Sequence, residues 1–507
     1  MDMTRRSFLK AGTIATAAMA MAPADVLAAK SKKKAAKKEK LKILGVGIGG
    51  RGHAVINGCT YKPGTKGEIF DDVEFIGLAD VDWKYAKGVL DEYKKLFPNC
   101  KMYNNYKQMY AELLDQADAV VCGTADHTHA IVCAEALAAG KHVYCEKPLT
   151  RTVYESRLLT RLAKKAGVAT QMGNQGSSSE GTALACEWIW NGEIGEVTRV
   201  EAFTDRPIWP QGLERPSEVH EIPSTLNWDA FIGPAPKRPY NAIYHPWNFR
   251  GRWDFGTGAL GDMACHILHT VFKGLKLQYP IRIQGSSTPL MADSCPNAQM
   301  VKYVFPAREN LPKVGMPEVE VTWYDGGLTP ERPANLPAGK SLNIDGGCAI
   351  FYGTKDTMIV GTYGHGPYLL SGRVPNAPKV LRRVERGDGG HQRDWVRACL
   401  EDKENRVPTL SDFSEAGPFN EMVAMGVCAI RLQGLNQVLE WDGENMKFTN
   451  IPAGAKVRSM IKDGFEIHDG HPTFNKTYTD PVDAQAFAAE LVKPVYENGY
   501  ELPAMPS

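Results

Sequence analysis

The stretch Leu41–Gly52, which runs L-K-I-L-G-V-G-I-G-G-R-G, restricts what this chain can fold into more than any other. Leu41, Ile43 and Leu44, with Val46 close behind, predict a short buried strand. Gly45, Gly47 and Gly50 then fall at the spacing G-x-G-x-x-G, and a helical pattern follows. Glycine is needed there for separate reasons: a tight turn, close approach of backbone to a pyrophosphate, and close packing of helix on strand. The helix N-terminus adds unpaired N–H groups and partial positive charge. Glycine-rich turns without a ligand are common, but strand, turn and helix in this order predict a dinucleotide site.

The chain is long enough, at 507 residues, for two or three domains with ample core. Its 43% hydrophobic and 23% charged content suits a soluble globular protein. A net charge of +1, with much of the basic excess in one short segment, argues against a nucleic-acid surface. The 11 cysteines include no C-x-x-C pair, and Cys122, Cys133 and Cys145 lie in apolar runs. Buried thiols are expected, with no metal site and no disulfide framework.

The start of the chain has its own logic. Thr4–Lys10 precedes a small apolar run, Ala11–Ala22, which is shorter than the about 20 residues a membrane span takes. With Val26-Leu27-Ala28 as a cleavage site, residues 1–29 form an export signal, and the paired Arg5 and Arg6 resemble a twin-arginine one. An ordinary secretory signal or a disordered basic start is the alternative. The twin-arginine route carries folded proteins, so a cofactor loaded in the cytoplasm travels along. A periplasmic location follows, with no transmembrane segment once the signal is removed. Residues 30–40 carry seven lysines against Glu39 and read as a solvated linker.

From Leu41 to Leu149, strand and helix patterns alternate. The strand Val73–Ala79 ends at Asp80, where an acidic side chain can accept both adenosine ribose hydroxyls and so favours NAD over NADP. Asp82 is its rival, but it follows the strand's end. Strands at Asp118–Cys122 and His142–Cys145 end in Gly123–His129 and in Glu146-Lys147-Pro148. In an open α/β sheet, ligands bind beyond the carboxyl ends of the strands, and all these polar clusters sit there.

At this point the chain resembles the glucose–fructose oxidoreductase/inositol dehydrogenase (Gfo/Idh/MocA) family. The matching motifs are the Gly45–Gly50 fingerprint, the Thr124–His129 turn, Glu146-Lys147-Pro148, Gly173-Asn174-Gln175, Gly195-Glu196-Val197 and Gly258–His266. The likeness runs from about Leu41 to about Phe448, with Ala125 standing where the family usually has proline. It implies an α/β fold: an N-terminal Rossmann domain (41–170), then a C-terminal α/β domain (171–450) built on a large, mostly antiparallel open sheet. Residues 451–507 are left as an extension. It also implies bound NAD, held by Gly45, Gly47, Gly50, Arg51, Asp80, Thr124, His127, His129, Glu146 and Asn174, and a homo-oligomer by analogy alone.

By the same resemblance Lys147 binds the reacting hydroxyl beside the nicotinamide. Asp262 and His266, four apart on one helical face, form an acid/base pair in which Asp262 orients or charges His266. A simple surface contact is the alternative for such a pair, and His269 lies one turn further on. Trp228–Asp254 mixes aromatic and polar residues as a polyol or glycoside pocket would, with Tyr244, His245 and Arg250 as candidate substrate contacts. A packed loop core is the plainer reading, as helix core is for Trp188 and Trp190. His391 is expected near the interdomain cleft. The resulting expectation is an NAD-dependent carbohydrate oxidoreductase with a small-molecule sugar substrate. A glycosidase or lyase working through transient C3 oxidation, and a non-catalytic sugar-binding protein, are the alternatives.

Overall fold

The computed structural model describes residues 39–506, so the expected export signal and most of the expected lysine-rich linker lie outside the described residues. The first sheet has six parallel strands: β1 (Leu41–Val46), β2 (Val73–Ala79), β3 (Lys101–Tyr103), β4 (Ala119–Cys122), β5 (His142–Cys145) and β6 (Thr170–Met172). Their order, β3-β2-β1-β4-β5-β6, is the doubly wound one that binds dinucleotides where the strand order reverses. Strands at the centre of such a sheet are covered on both faces and read as apolar runs rather than alternating ones. β4, for example, is buried along its whole length.

The register of these strands decides which polar groups become neighbours. Val46 pairs with Ala79 and Cys122, and Cys122 pairs with Cys145, so four strands end level at one edge. Gly47, Asp80, Gly123 and Glu146 therefore emerge side by side.

The second sheet has nine strands: β7 (Val197–Thr204), β8 (Arg282–Ser287), β9 (Gln299–Phe305), β10 (Val319–Asp325), β11 (Gly347–Gly353), β12 (Thr357–Gly361), β13 (Tyr368–Leu369), β14 (Leu439–Asp442) and β15 (Lys447–Phe448). They lie in the order β13-β12-β11-β7-β10-β9-β8-β14-β15. Only β7 and β10 pair in parallel, so the sheet is mostly antiparallel, as expected.

The helix Gly258–Gly274 is buried at all but one of its 17 residues. Its apolar side chains share one continuous core with Val200 and Val321 of the second sheet and Leu158 and Leu162 of the helix Val153–Ala166. The latter begins at a reciprocal cap between Thr152 and Glu155 and ends at Gly167 in the left-handed region. One segment of the later chain returns to the first sheet. Trp395 and Val396, on the helix His391–Leu400, pack with Val55 and Ile56 of the helix Arg51–Thr60.

All eleven cysteines are free and buried, as their apolar settings predicted. The tail after Asn450 adds the hairpin Met460–His468/His471–Tyr478 and the helix Ala484–Val492.

Candidate active site

A cavity of about 450 Å³ opens at the carboxyl edge of the first sheet. On one side lie Gly47, Gly50, Arg51, Asp80 and Thr124; on the other, Lys147, Arg250, Asp262 and His266. The first set and Lys147 follow strands of the first sheet, whereas Arg250, Asp262 and His266 come from the later chain.

The three glycines divide their work differently from the sequence expectation. Gly45 stays within β1, opposite Leu78, and does not line the cavity; a Cβ there would come 2.7 Å from the Leu78 side chain. Gly47 makes the turn, at φ +69°, and a Cβ there would meet the Thr124 backbone at 2.6 Å. Gly50, at φ +52°, precedes the helix and has only the tip of Tyr85 near it. Close helix–strand packing falls instead to Gly52, where a Cβ would collide with the Gly47 carbonyl oxygen.

The helix Arg51–Thr60 has no side-chain cap and no acidic residue in its first turn. The Gly52 N–H donates to the Gly49 carbonyl at 3.1 Å, and the uncapped helix end leaves partial positive charge for an anion at the cavity wall. With Asp80 beside it this helix end fits a dinucleotide. Asp80 accepts hydrogen bonds from the Gly49 N–H (2.9 Å) and the Asp82 N–H (3.0 Å), which locks the glycine turn to the end of β2. Burial pushes its carboxyl above the usual range, against those two bonds.

Arg51 and Glu146 form a pair at 3.1 Å, and Arg51 also donates to Gln175 Oε1. Glu146 raises the Arg51 guanidinium further above its ordinary value. Thr124 lines the cavity and accepts a hydrogen bond from the Thr128 hydroxyl at 2.7 Å. Ala125 takes φ −72°, an angle proline would impose, so its departure from the family pattern leaves the turn intact.

Besides Gly45, three expected cofactor residues do not reach the cavity. His127 is buried against Phe231 and Phe255 with Nε2 on the Phe231 carbonyl, and burial lowers it to about 3. His129 lies between the carbonyls of Pro148 (2.7 Å) and Thr124 (3.1 Å) and thereby braces the two turns that do line the cavity. Asn174 is fully buried and accepts a hydrogen bond from Ser411. His391, too, is buried, between Ser178 and the Met172 carbonyl, and stands away from the cavity lining.

The catalytic candidates do converge. Lys147 Nζ donates to Asp262 Oδ1 at 2.6 Å, and Arg250 Nε donates to the same oxygen at 3.0 Å. Burial would raise the Asp262 carboxyl, but Lys147 and Arg250 outweigh it and hold it well below the usual range. Of the expected Asp262–His266 pair, the orienting hydrogen bond is not made, because the carboxylate's hydrogen bonds go to the two cations; the charge of Asp262 still acts on His266. His266 Nδ1 is buried with no hydrogen-bond partner among the described residues. Burial and the Lys147 ammonium keep this imidazole well below its ordinary titration range. His269, one turn on, hydrogen-bonds Glu415 at 2.8 Å instead.

The candidate substrate residues separate. Arg250 lines the cavity, with its guanidinium 4.1 Å from the Trp247 ring centroid. Tyr244 does not: it is buried in an aromatic cluster with Trp228 and Phe255. His245 lines the Asp80 side, where Nε2 meets Asp82 Oδ2 at 3.1 Å, so it belongs with the cofactor half. Tyr85 and Tyr363, which belong to no motif in the sequence, also lie on the cavity wall, as does Asp126 of the expected Gly123–His129 cluster.

Comparisons with known proteins agree with this architecture. Residues 41–174 match a family model described as the oxidoreductase family's NAD-binding Rossmann fold, and residues 193–307 match that family's C-terminal alpha/beta domain. Levoglucosan dehydrogenase of Pseudarthrobacter phenanthrenivorans is 29% identical over 168 residues, 33% of this chain and 35% of that protein. Inositol 2-dehydrogenase of Salmonella typhimurium is 29% identical over 129 residues, 25% of this chain and 37% of that protein. The chain thus spans about a third of the length of these curated relatives. Among solved structures, the WlbA dehydrogenase of Bordetella pertussis, in complex with NADH and UDP-GlcNAcA, shares the fold. Its TM-score is 0.52 at 15% identity, covering 80% of this chain and 99% of that one.

Proposed function

Because the chain belongs to the Gfo/Idh/MocA family of oxidoreductases, we propose that it is an exported dehydrogenase that acts on a sugar or glycoside hydroxyl and retains its NAD between turnovers. The observation that carries this reading is the meeting of Lys147, Asp262 and His266 in one cavity with the glycine turn. Bound NAD supplies the hydride acceptor and donor. Gly47, Gly50, the first turn of the helix Arg51–Thr60 and Asp80 would hold it.

The remaining work falls to this chain's side chains. The Lys147 ammonium donates a hydrogen bond to the substrate oxygen and stabilises negative charge as it develops there. His266, kept neutral by its surroundings, is free to take the hydroxyl proton. Asp262 positions the ammonium rather than the imidazole. The relatives' names, levoglucosan and inositol dehydrogenases, favour a polyhydroxylated substrate. Export rests on Arg5 and Arg6 and the apolar run after them. A protein outside the cytoplasm has no NAD pool to draw on, so retention and regeneration in place follow.

Mass spectrometry of the folded, purified protein is expected to find NAD(H); NADP alone would overturn the role of Asp80. A panel of sugars and aryl glycosides then tests the reaction. A change in the bound nicotinamide absorbance without aglycone release is expected. Release without net reduction would make it a redox-neutral glycosidase, and no response to any sugar would contradict both.

A further inference from the structure

We propose that Tyr363 is a positioning residue of this site, whose strained backbone is maintained so that its ring can cover and orient His266; the functional half of this inference rests on the dehydrogenase reading. Tyr363 occupies φ +61°, ψ +16°, within the turn Thr362–Gly364 that follows β12. A bulky aromatic residue there is a genuine outlier. Such strain is costly and persists only where the surroundings over-determine it.

Here they do. A Cβ on Gly176 would meet Tyr363 Cα at 2.6 Å, and one on Gly181 would collide with the Gly364 carbonyl. Two glycines on neighbouring elements thus make room for a turn pressed against them. The turn is closed from the other side by Gly361 N–H donating to the His365 carbonyl at 2.8 Å, and by Thr362 N–H donating to Ile344.

Eight non-glycine residues among those described have positive φ, and Tyr363 is the one that lines the cavity. Its ring centroid lies 4.7 Å from that of His266. No other aromatic contact to His266 exists among the described residues, and its Nδ1 has no hydrogen-bond partner there. Something other than a hydrogen bond must therefore set the orientation of this imidazole, and the phenol ring is in place to do it. Lys147, Asp262, Arg51 and His269 are the charged or titratable neighbours that act on His266 beyond the ring. Of these, Asp262 is engaged by Lys147 and Arg250, and His269 by Glu415.

The test separates the ring from the backbone. Tyr363→Gly removes the ring and relieves the strain; Tyr363→Phe keeps the ring and removes only the hydroxyl. Histidine-labelled NMR, with His266 assigned by comparison with His266→Asn, follows the imidazole titration directly. In wild type and Tyr363→Phe the ring should stay neutral well into the acid range. In Tyr363→Gly its midpoint should rise by at least about one pH unit toward the ordinary value of about 6.5, as water reaches it. The melting temperature of Tyr363→Gly should equal or exceed that of wild type, while kcat on the responding sugar falls at least about tenfold.

An unmoved His266 titration in Tyr363→Gly, or an equal shift in Tyr363→Phe, would overturn the proposal. Should Tyr363→Gly fail to fold, Tyr363→Asn serves, since asparagine tolerates the left-handed region. The titration needs no turnover. A shifted midpoint in a protein inactive on every sugar would therefore uphold the positioning of His266 and sink only the dehydrogenase reading.

Discussion

Asp262 is a carboxylate with two cations on one oxygen, and that arrangement decides what can be changed at this site. Removing one partner of a lone buried ion pair costs about 3–5 kcal/mol, because a charge is stranded. Lys147→Met leaves Arg250 on Asp262, so its loss of stability should fall below that range in chemical denaturation. A catalytic defect in that variant can then be separated from unfolding. A second carboxylate makes a pH prediction. Asp325 is fully buried, accepts from Trp323 Nε1 and Gln299 Nε2, and is pushed up by burial to about 7. Its folded value lies above the unfolded one of about 3.9. The folded state thus binds the proton more tightly, and this contribution to stability is present below pH about 4 and lost as pH rises toward 7. Asp325→Asn should gain up to about 4 kcal/mol over wild type at pH 8 and little at pH 4. Denaturation at both pH values checks it.

The glycine turn and the strands beside it are legible because their physics is local. An apolar run ending in a polar cluster marks the carboxyl end of a buried strand, which locates Asp80, Thr124 and Lys147 correctly. Within the turn, spacing names the glycines but cannot say which of them bears the contact, since Gly52 meets Gly47 only after the helix folds back. Gly52→Ala should therefore cost about 1–3 kcal/mol by overpacking and reduce the NAD carried by the purified protein, as melting and cofactor content would show. His127 and His129 mislead for a related reason. The helix Asp126–Ala138 is buried on nearly every side, so helical period cannot tell which of its histidines faces a ligand. The helix Phe413–Arg431 tolerates Pro418 and is followed by a short turn and β14.

At the scale of the whole molecule, the site is made by chain returns that no local pattern announces. Residues 225–227 pair with 81–83 at the end of β2: Asn227 N–H donates to Val81 and Trp83 N–H to Thr225. His245 adds its bond to Asp82. A strap from the later chain thus crosses the Asp80 side of the cavity, and it carries His245 to the cofactor half, away from the substrate role its aromatic neighbours suggest. His245→Ala should speed NAD release by about tenfold, measured by chase with excess free nucleotide, while leaving the fold intact; an unchanged release rate would assign retention elsewhere. The helix His391–Leu400 is a second such return, legible as a helix but not as a cover for the first sheet. The proposed dehydrogenase reading turns on Lys147, which meets Asp262 in the cavity beside the glycine turn. The direct measurement is single-turnover reduction of the protein's own NAD by a responding sugar, in wild type and in Lys147→Met. Equal cofactor content and at least about a hundredfold slower reduction are expected in the variant; reduction at the wild-type rate would remove Lys147 from the reaction.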